Sequence, residues 1–285
     1  MIESLILLSA VAAQDASADE PTTDAGAEAG QATLVDQEPE LTFEFTPGVW
    51  LLRIRGDASN GPGDAPDLRL DTQLGLTDLN AAFRGEAVIT RGDWSVEIAG
   101  STFNSSGTTI AEEVSRWGSV LITPGLEFTS TLDMAFVAAE VKWQAWTPLG
   151  EAKLTEANPL RLSVGPHVGV SWLDIDQDLT TAFQTVSNGH AWWSVWGGGQ
   201  LEFEFDMSRF ISWIDSIRVQ AGAGLGGTPV DGGFMWHAGG GVNVFFTPNI
   251  AVTIAYRYEK YSLEDGDWKI NPNFQGLFLG ATVQF

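Results

Sequence analysis

The strongest constraint on this chain is a hydrophobic period of two that recurs, segment after segment, from Leu41 to Phe285. On an extended backbone, side chains two apart share a face, so such a period specifies strands with one apolar and one polar side. Leu160 to Trp172 shows it most clearly. Leu160, Leu162, Val164, Pro166, Val168, Val170 and Trp172 share one face, with Arg161, Ser163, Gly165, His167, Gly169 and Ser171 on the other. Phe234 to Phe246, Trp193 to Phe205 and Leu277 to Phe285 repeat the pattern.

A soluble sandwich also alternates, so length and aromatic placement must separate the two folds. The segments run about 10–13 residues, whereas soluble strands average about 5–6 and a tilted bilayer-crossing strand needs about 9–11. Trp50, Trp94, Trp143, Trp146, Trp172, Trp193, Trp236, Tyr256 and Tyr258 lie near segment ends, where an aromatic girdle meets lipid headgroups. Gly and Pro interrupt every apolar run that might otherwise make a transmembrane helix. The expected fold is therefore all-β: a transmembrane antiparallel up-and-down barrel over 41–285, of about ten strands, with eight to twelve allowed.

The expected strands are 43–56, 80–90, 94–104, 127–146, 160–174, 190–206, 216–226, 233–246, 250–263 and 273–285. Leu68 to Leu76 and Gly118 to Glu127 also alternate, and counting them as strands gives twelve. Short connections, such as Arg91-Gly92-Asp93 and Thr247-Pro248-Asn249, are expected on the periplasmic side. Long ones, at Gly56 to Leu79, Ser105 to Leu126 and Leu173 to Gly189, are expected outside.

Charge and composition narrow the partners. The chain carries 14 Lys+Arg against 37 Asp+Glu, a formal net charge of -23, and no basic residue precedes Arg53. This balance argues against a nucleic-acid partner, because phosphate binding needs basic patches. The lack of any Cys removes disulfides, thiolate zinc sites and cysteine nucleophiles. Residues 1–13 read as a signal peptide, with Ala10-Val11-Ala12 or Val11-Ala12-Ala13 as its cleavage site. Met1-Ile2-Glu3 lacks the basic residues of such a signal; either the true start lies upstream, or the run is a buried N-terminal element. Residues 14–40, rich in Ala, Asp, Glu, Gly and Thr, read as a disordered acidic periplasmic tether.

Charges on the polar faces are expected to converge in the lumen: Arg53, Arg55, Arg84, Glu86, Glu97, Glu140, Lys142, Arg161, Glu202, Glu204, Arg218, Arg257 and Glu259. They form either a salt-bridged plug or a small water-filled pore whose selectivity they set. Asp174, Asp176 and Asp178 place three carboxylates at alternate positions, an oxygen cluster of the kind a hard cation takes. The cluster lacks the glycine and distal glutamate of a helix-loop-helix calcium site, and a solvated strand end explains it as well.

The last segment carries a resemblance. Tyr256-Arg257-Tyr258 and Gly276-Leu277-Phe278-Leu279-Gly280-Ala281-Thr282-Val283-Gln284-Phe285 resemble the closing hairpin of bacterial outer-membrane β-barrel proteins. Ala82-Phe83-Arg84-Gly85-Glu86-Ala87, the Arg91-Gly92-Asp93-Trp94 turn and the stretch from Val164 to Asp174 extend it. The group is one of largely uncharacterised small outer-membrane barrels ending in Phe. The resemblance implies integral outer-membrane location and contact with outer-membrane lipids and lipopolysaccharide. It also implies recognition of Phe285 by the barrel-assembly machinery during biogenesis. It brings no catalytic motif, and no cofactor is expected. The expected function is structural or surface-interactive, through acidic outer loops. A narrow porin for small solutes is the alternative. A rim hydrolase or lipid-modifying enzyme is the second alternative; it would use His190 with Asp174 or Asp176 and Ser187 as nucleophile.

Overall fold

The computed structural model describes residues 41–61, 67–77, 79–150, 154, 159–230 and 232–285. The expectations for 1–13 and 14–40 fall outside them.

Among the described residues fourteen strands form in chain order. They are β1 (Leu41–Asn60), β2 (Leu68–Arg69), β3 (Asn80–Arg91), β4 (Trp94–Ile110), β5 (Ser115–Trp117), β6 (Val120–Ile122) and β7 (Glu127–Trp143). β8 (Trp146–Leu149), β9 (Leu160–Thr181), β10 (Thr185–Asp206), β11 (Ser216–Gly227), β12 (Phe234–Thr247), β13 (Ile250–Asp265) and β14 (Trp268–Gln284) complete them. The ten long strands pair antiparallel in the order β1, β3, β4, β7, β9, β10, β11, β12, β13, β14, and β14 returns to β1. That last seam runs in register from Glu44 opposite Gln284 to Asn60 opposite Trp268. The Phe285 N–H donates to the Phe43 carbonyl at 2.8 Å, and the Phe285 carbonyl accepts from the Phe43 N–H at 3.1 Å. Closure leaves the barrel no unpaired edge, the condition for crossing a bilayer with strands.

Ten barrel strands is the number the alternation implies, and the outer surface shows why they close. On β1, Leu41, Phe43, Phe45 and Val49 are exposed and Leu51 half-exposed, all pointing outward. Ten residues rise about 33 Å along a strand, which tilted by some 40° gives a band roughly 25 Å tall. Exposed Val96 and Ile98 on β4, Val168 and Val170 on β9, and Val252 and Ile254 on β13 continue that band around the barrel. Burying it needs hydrocarbon. The protein is an integral barrel of the outer-membrane type.

Two expectations need correction. The stretch 173–189 is not a loop: β9 and β10 stay paired up to Thr180 opposite Thr185, with only residues 182–184 between the strands. Ile175, Gln177 and Leu179 remain buried in phase with the residues below them, so the strand simply continues beyond the lipid. The two extra alternating stretches do not enter the barrel wall. Leu68, Leu70, Leu74 and Leu76 are buried, and so are Trp117, Val120 and Ile122 of the β5–β6 hairpin. β5 pairs with the end of β1 through Asn60 and Trp117, so these segments cap the outer mouth.

At the other end, β3 turns into β4 through Gly92 and Asp93. Gly92 holds φ at 59°, as two-residue hairpin turns require.

Candidate functional site

The lumen divides into two chemistries along the barrel axis. Its outer half is dry. Trp50, Leu52 and Ile54 of β1 meet Leu132 and Phe136 of β7, Leu173 and Ile175 of β9, Trp192 of β10 and Phe274 and Phe278 of β14. All of these are buried, and they join the cap residues Leu70, Leu74 and Trp117 in one contiguous core. Two polar contacts cross it, Trp268 Nε1 donating to Gln177 Oε1 at 3.2 Å and Asn60 Nδ2 to Asn188 Oδ1 at 3.1 Å. The indole nitrogens of Trp50 and Trp117 and the Gln177 Nε2 are buried without a hydrogen-bond partner among the described residues.

The inner half is a polar cavity of about 630 Å³, running from a mouth at Thr42, Thr90 and Asp93 up to His167 and His237. Among the described residues, five cations and seven carboxylates line this half in three tiers. Near the mouth, Arg218 meets Glu44 at 2.8 Å and Glu204 at 3.8 Å, while Arg161 meets Glu202 at 2.9 Å and Glu204 at 3.2 Å. Deeper, Lys142 meets Glu97 at 2.6 Å and Glu140 at 3.6 Å, and the His167 Nδ1 lies 2.9 Å from Glu140. Deepest of all, Arg84 pairs with Glu86 at 2.8 Å and Glu259 at 3.5 Å, and Arg257 also pairs with Glu86. Glycine makes room for the histidines. A methyl on Gly224 would lie 2.9 Å from the His237 Nε2 and 3.2 Å from that of His167.

Of the sequence-derived lumen charges, the structure brings Arg84, Glu86, Glu97, Glu140, Lys142, Arg161, Glu202, Glu204, Arg218, Arg257 and Glu259 into these tiers. Arg53 and Arg55 are the exception, and here the expectation is corrected. Both are exposed on the outer wall, while Trp50, Leu52 and Ile54 fill the lumen. Trp50 accordingly belongs to the core, with 1% exposure, and not to the girdle. Glu44 went unrecognised in the sequence, because its neighbours Phe43 and Phe45 mark the lipid face without showing what Glu44 meets across the barrel.

The remaining aromatic positions flank the apolar band. Trp172 and Trp193 stand opposite each other across β9 and β10. The rings of Trp236 and Tyr258 pack at a tilt, 4.5 Å apart, and Tyr256 is exposed. At the inner rim Trp94 and Trp143 stack at 5.5 Å, and Trp146 is exposed beside them in chain order. Phe210 and Trp213 also face out there, packed on Phe205 and Phe246. They sit in a turn, where alternation gives no cue.

Above the Trp172–Trp193 pair the outer wall turns acidic. Asp174, Asp176 and Asp178 all point outward, and Asp133 of β7 stands directly opposite Asp176. Asn104 of β4 donates to Asp133. Asp176 lies outside the apolar band, and its carboxyl is pushed above the ordinary carboxylate value. Partial burial against the wall is the leading cause, with the like charges of Asp174, Asp133 and Asp178 adding to it. Among the described residues no group of three or more ligating side chains is placed to hold a metal ion.

The rim-enzyme arrangement does not assemble. His190 points inward, 3.3 Å from Asp265 and with its ring tilted against that of Trp192 at 4.7 Å, whereas Asp174, Asp176 and Ser187 lie on the opposite face of the same hairpin.

No protein-family model matches this chain, and no curated protein matches it. Solved structures do. Ail, the attachment invasion locus protein of Yersinia pestis, crystallised with the heparin analogue sucrose octasulfate, is 14% identical. Its match covers 86% of this chain and 99% of Ail, with a TM-score of 0.34. The outer membrane protease OmpT from Escherichia coli is 10% identical over 86% of this chain and 97% of its own, with a TM-score of 0.43. Neisserial surface protein A is 10% identical over 86% and 96%, with a TM-score of 0.33.

Proposed function

We propose that the protein is a sealed outer-membrane barrel of structural and surface-interaction type, which transports no solute and catalyses no reaction. The observation that carries this reading is the dry outer half of the lumen. Among the described residues, a core running from Trp50 through Phe278 to the capping residues Leu74 and Trp117 lies between the polar cavity and the outer end of the barrel. Apolar constrictions of this kind exclude water and ions together. What reaches the cell exterior is instead the extended β9–β10 hairpin and the acidic face of Asp133, Asp174, Asp176 and Asp178. The partner that suits such a face is cationic, or anionic and bridged by divalent ions.

Planar-bilayer conductance of the refolded chain, with and without residues 14–40, tests the proposal. The expected result is a silent membrane with a barrel that still shifts its gel mobility on heating. Discrete, reproducible current steps would refute the sealed lumen and hand the function to the charged cavity as a narrow porin.

A further inference from the structure

The corrected position of Arg53 and Arg55 creates a second feature on the outer wall. On β1 the outward series runs Val49, Leu51, Arg53, Arg55, so the two arginines begin where the apolar band ends. Strand register carries that level sideways. Arg55 stands opposite Asn273 of β14, Asn273 opposite Lys260 of β13, and Lys260 opposite Trp236 of β12. Neighbouring strands lie about 4.8 Å apart and alternate residues about 6.6 Å. Three long cationic side chains therefore reach the same few ångströms of surface over Asn273. All three are exposed. Among the described residues none of them has a carboxylate within ion-pair distance, although the chain has 37 Asp+Glu to offer. The acids nearby are engaged elsewhere: Asp57 takes a 2.8 Å hydrogen bond from Asn271, and Glu264 pairs with Lys269.

We propose that Arg53, Arg55 and Lys260 form a site for the phosphate groups of a phosphorylated glycolipid in the outer leaflet. The lipid's acyl chains would lie against the wall below. Height, charge and chemistry agree. The cations sit at headgroup level, one step above Leu51 on β1 and Tyr258 on β13. Tyr258 accepts a 2.8 Å hydrogen bond from Asn273 and packs on Trp236, giving a rigid amphipathic floor of the type that lies at membrane interfaces. Arginine adds a planar fork matched to phosphate oxygens. Across the barrel the same level carries Asp133, Asp174 and Asp176, so an anionic headgroup is drawn to one side and repelled from the other. The inference rests on the barrel sitting in the outer membrane and is independent of whether its lumen conducts.

Native mass spectrometry of the full chain in detergent, titrated with bis-phosphorylated lipid A, tests it. The wild type should hold lipid through detergent exchange. Arg53→Gln/Arg55→Gln/Lys260→Gln should weaken binding by roughly 100-fold, the sum expected for three interfacial cations. Lipid A stripped of its phosphates should bind wild type and variant alike, and millimolar inorganic phosphate should not displace the intact lipid. Arg69→Gln/Lys269→Gln removes two cations above the patch and should leave affinity within about twofold. Heat-modifiable mobility verifies folding of each variant, and Lys260→Gln alone serves if the triple variant does not fold. Equal lipid binding by the patch variant overturns the proposal, and so does displacement by free phosphate, which would make the site one for small anions.

Discussion

Arg84 marks the boundary between the wet and dry halves of the lumen, and replacing it tests whether that boundary is held by charge. Its side chain is buried, with the guanidinium 5.5 Å from the Trp50 ring centre and 5.6 Å from that of Phe136. Its Nε donates to Glu86 at 2.8 Å, and its Nη1 makes a longer charge contact with Glu259 at 3.5 Å. Arg84→Met keeps the stem and its apolar contacts but strips the charge. Removing one member of a buried ion pair costs about 3–5 kcal/mol, because the partner stays buried and uncompensated. Glu86 would retain Arg257, and Glu259 would retain only the Tyr261 hydroxyl at 3.3 Å. The loss should therefore sit near the low end, at about 3 kcal/mol. Adding Glu259→Gln removes the orphaned charge and should restore roughly half of that. Urea unfolding of the refolded barrel in lipid vesicles, followed by tryptophan fluorescence, measures both variants. A cost below about 1 kcal/mol for Arg84→Met, or a double variant no more stable than the single one, would refute the reasoning.

Two further predictions concern the outer face and the seam. Asp176 faces Asp133 directly, and like charges opposed across strands destabilise a sheet, so Asp176→Asn should stabilise the barrel at neutral pH by about 0.2–1 kcal/mol. Because the folded carboxyl titrates above its unfolded value, the wild-type penalty is full above the folded pKa and disappears as pH falls through it toward the unfolded one. The gain from Asp176→Asn should vanish at acid pH, and a gain that persists there would show that charge is not its origin. Deleting Phe285 removes the two backbone hydrogen bonds to Phe43 at the very end of the seam and little packing, since its side chain is 75% exposed. Refolding in vitro should survive that deletion, while the amount reaching the membrane in cells should collapse. Normal membrane levels would sink the reading of Phe285 as an assembly signal.

The ten-strand wall was legible because its signal is redundant. Val168 and Val170 outward with His167 and Gly169 inward is one instance, and it recurs on every spanning strand until no other closed architecture accommodates it. The lumen charges were legible for the same reason, since a charged residue in phase with glycines and out of phase with valines has only one side to occupy. Pairings were not legible. Glu44 meets Arg218 from 174 positions away, a contact set by barrel closure that no local pattern encodes. The cap was equally hidden, because Leu68 to Leu76 alternates like a wall strand, yet its leucines pack onto the interior core.

The misplacement of Arg53 and Arg55 has a more general cause. Inside the bilayer an outward position is apolar and an inward one polar, but once a strand rises out of the lipid both environments invert. The outside becomes water, and here the inside becomes a packed core. Trp50, Leu52 and Ile54 look like a lipid face only if they are read without the residues before them. The information that fixes them is phase: Phe43, Phe45, Val49 and Leu51 are exposed, and a strand without an extra residue cannot change which parity points out. Carried forward, that parity sends Trp50 inward and Arg53 outward. The same rule keeps Asp174, Asp176 and Asp178 on the outer wall above Val168, Val170 and Trp172. In a barrel whose strands outrun the membrane, the depth at which the polarity of a fixed parity switches is itself the readable signal. Here it switches between Leu51 and Arg53 on β1 and between Trp172 and Asp174 on β9, which sets the upper edge of the hydrocarbon on both sides of the molecule.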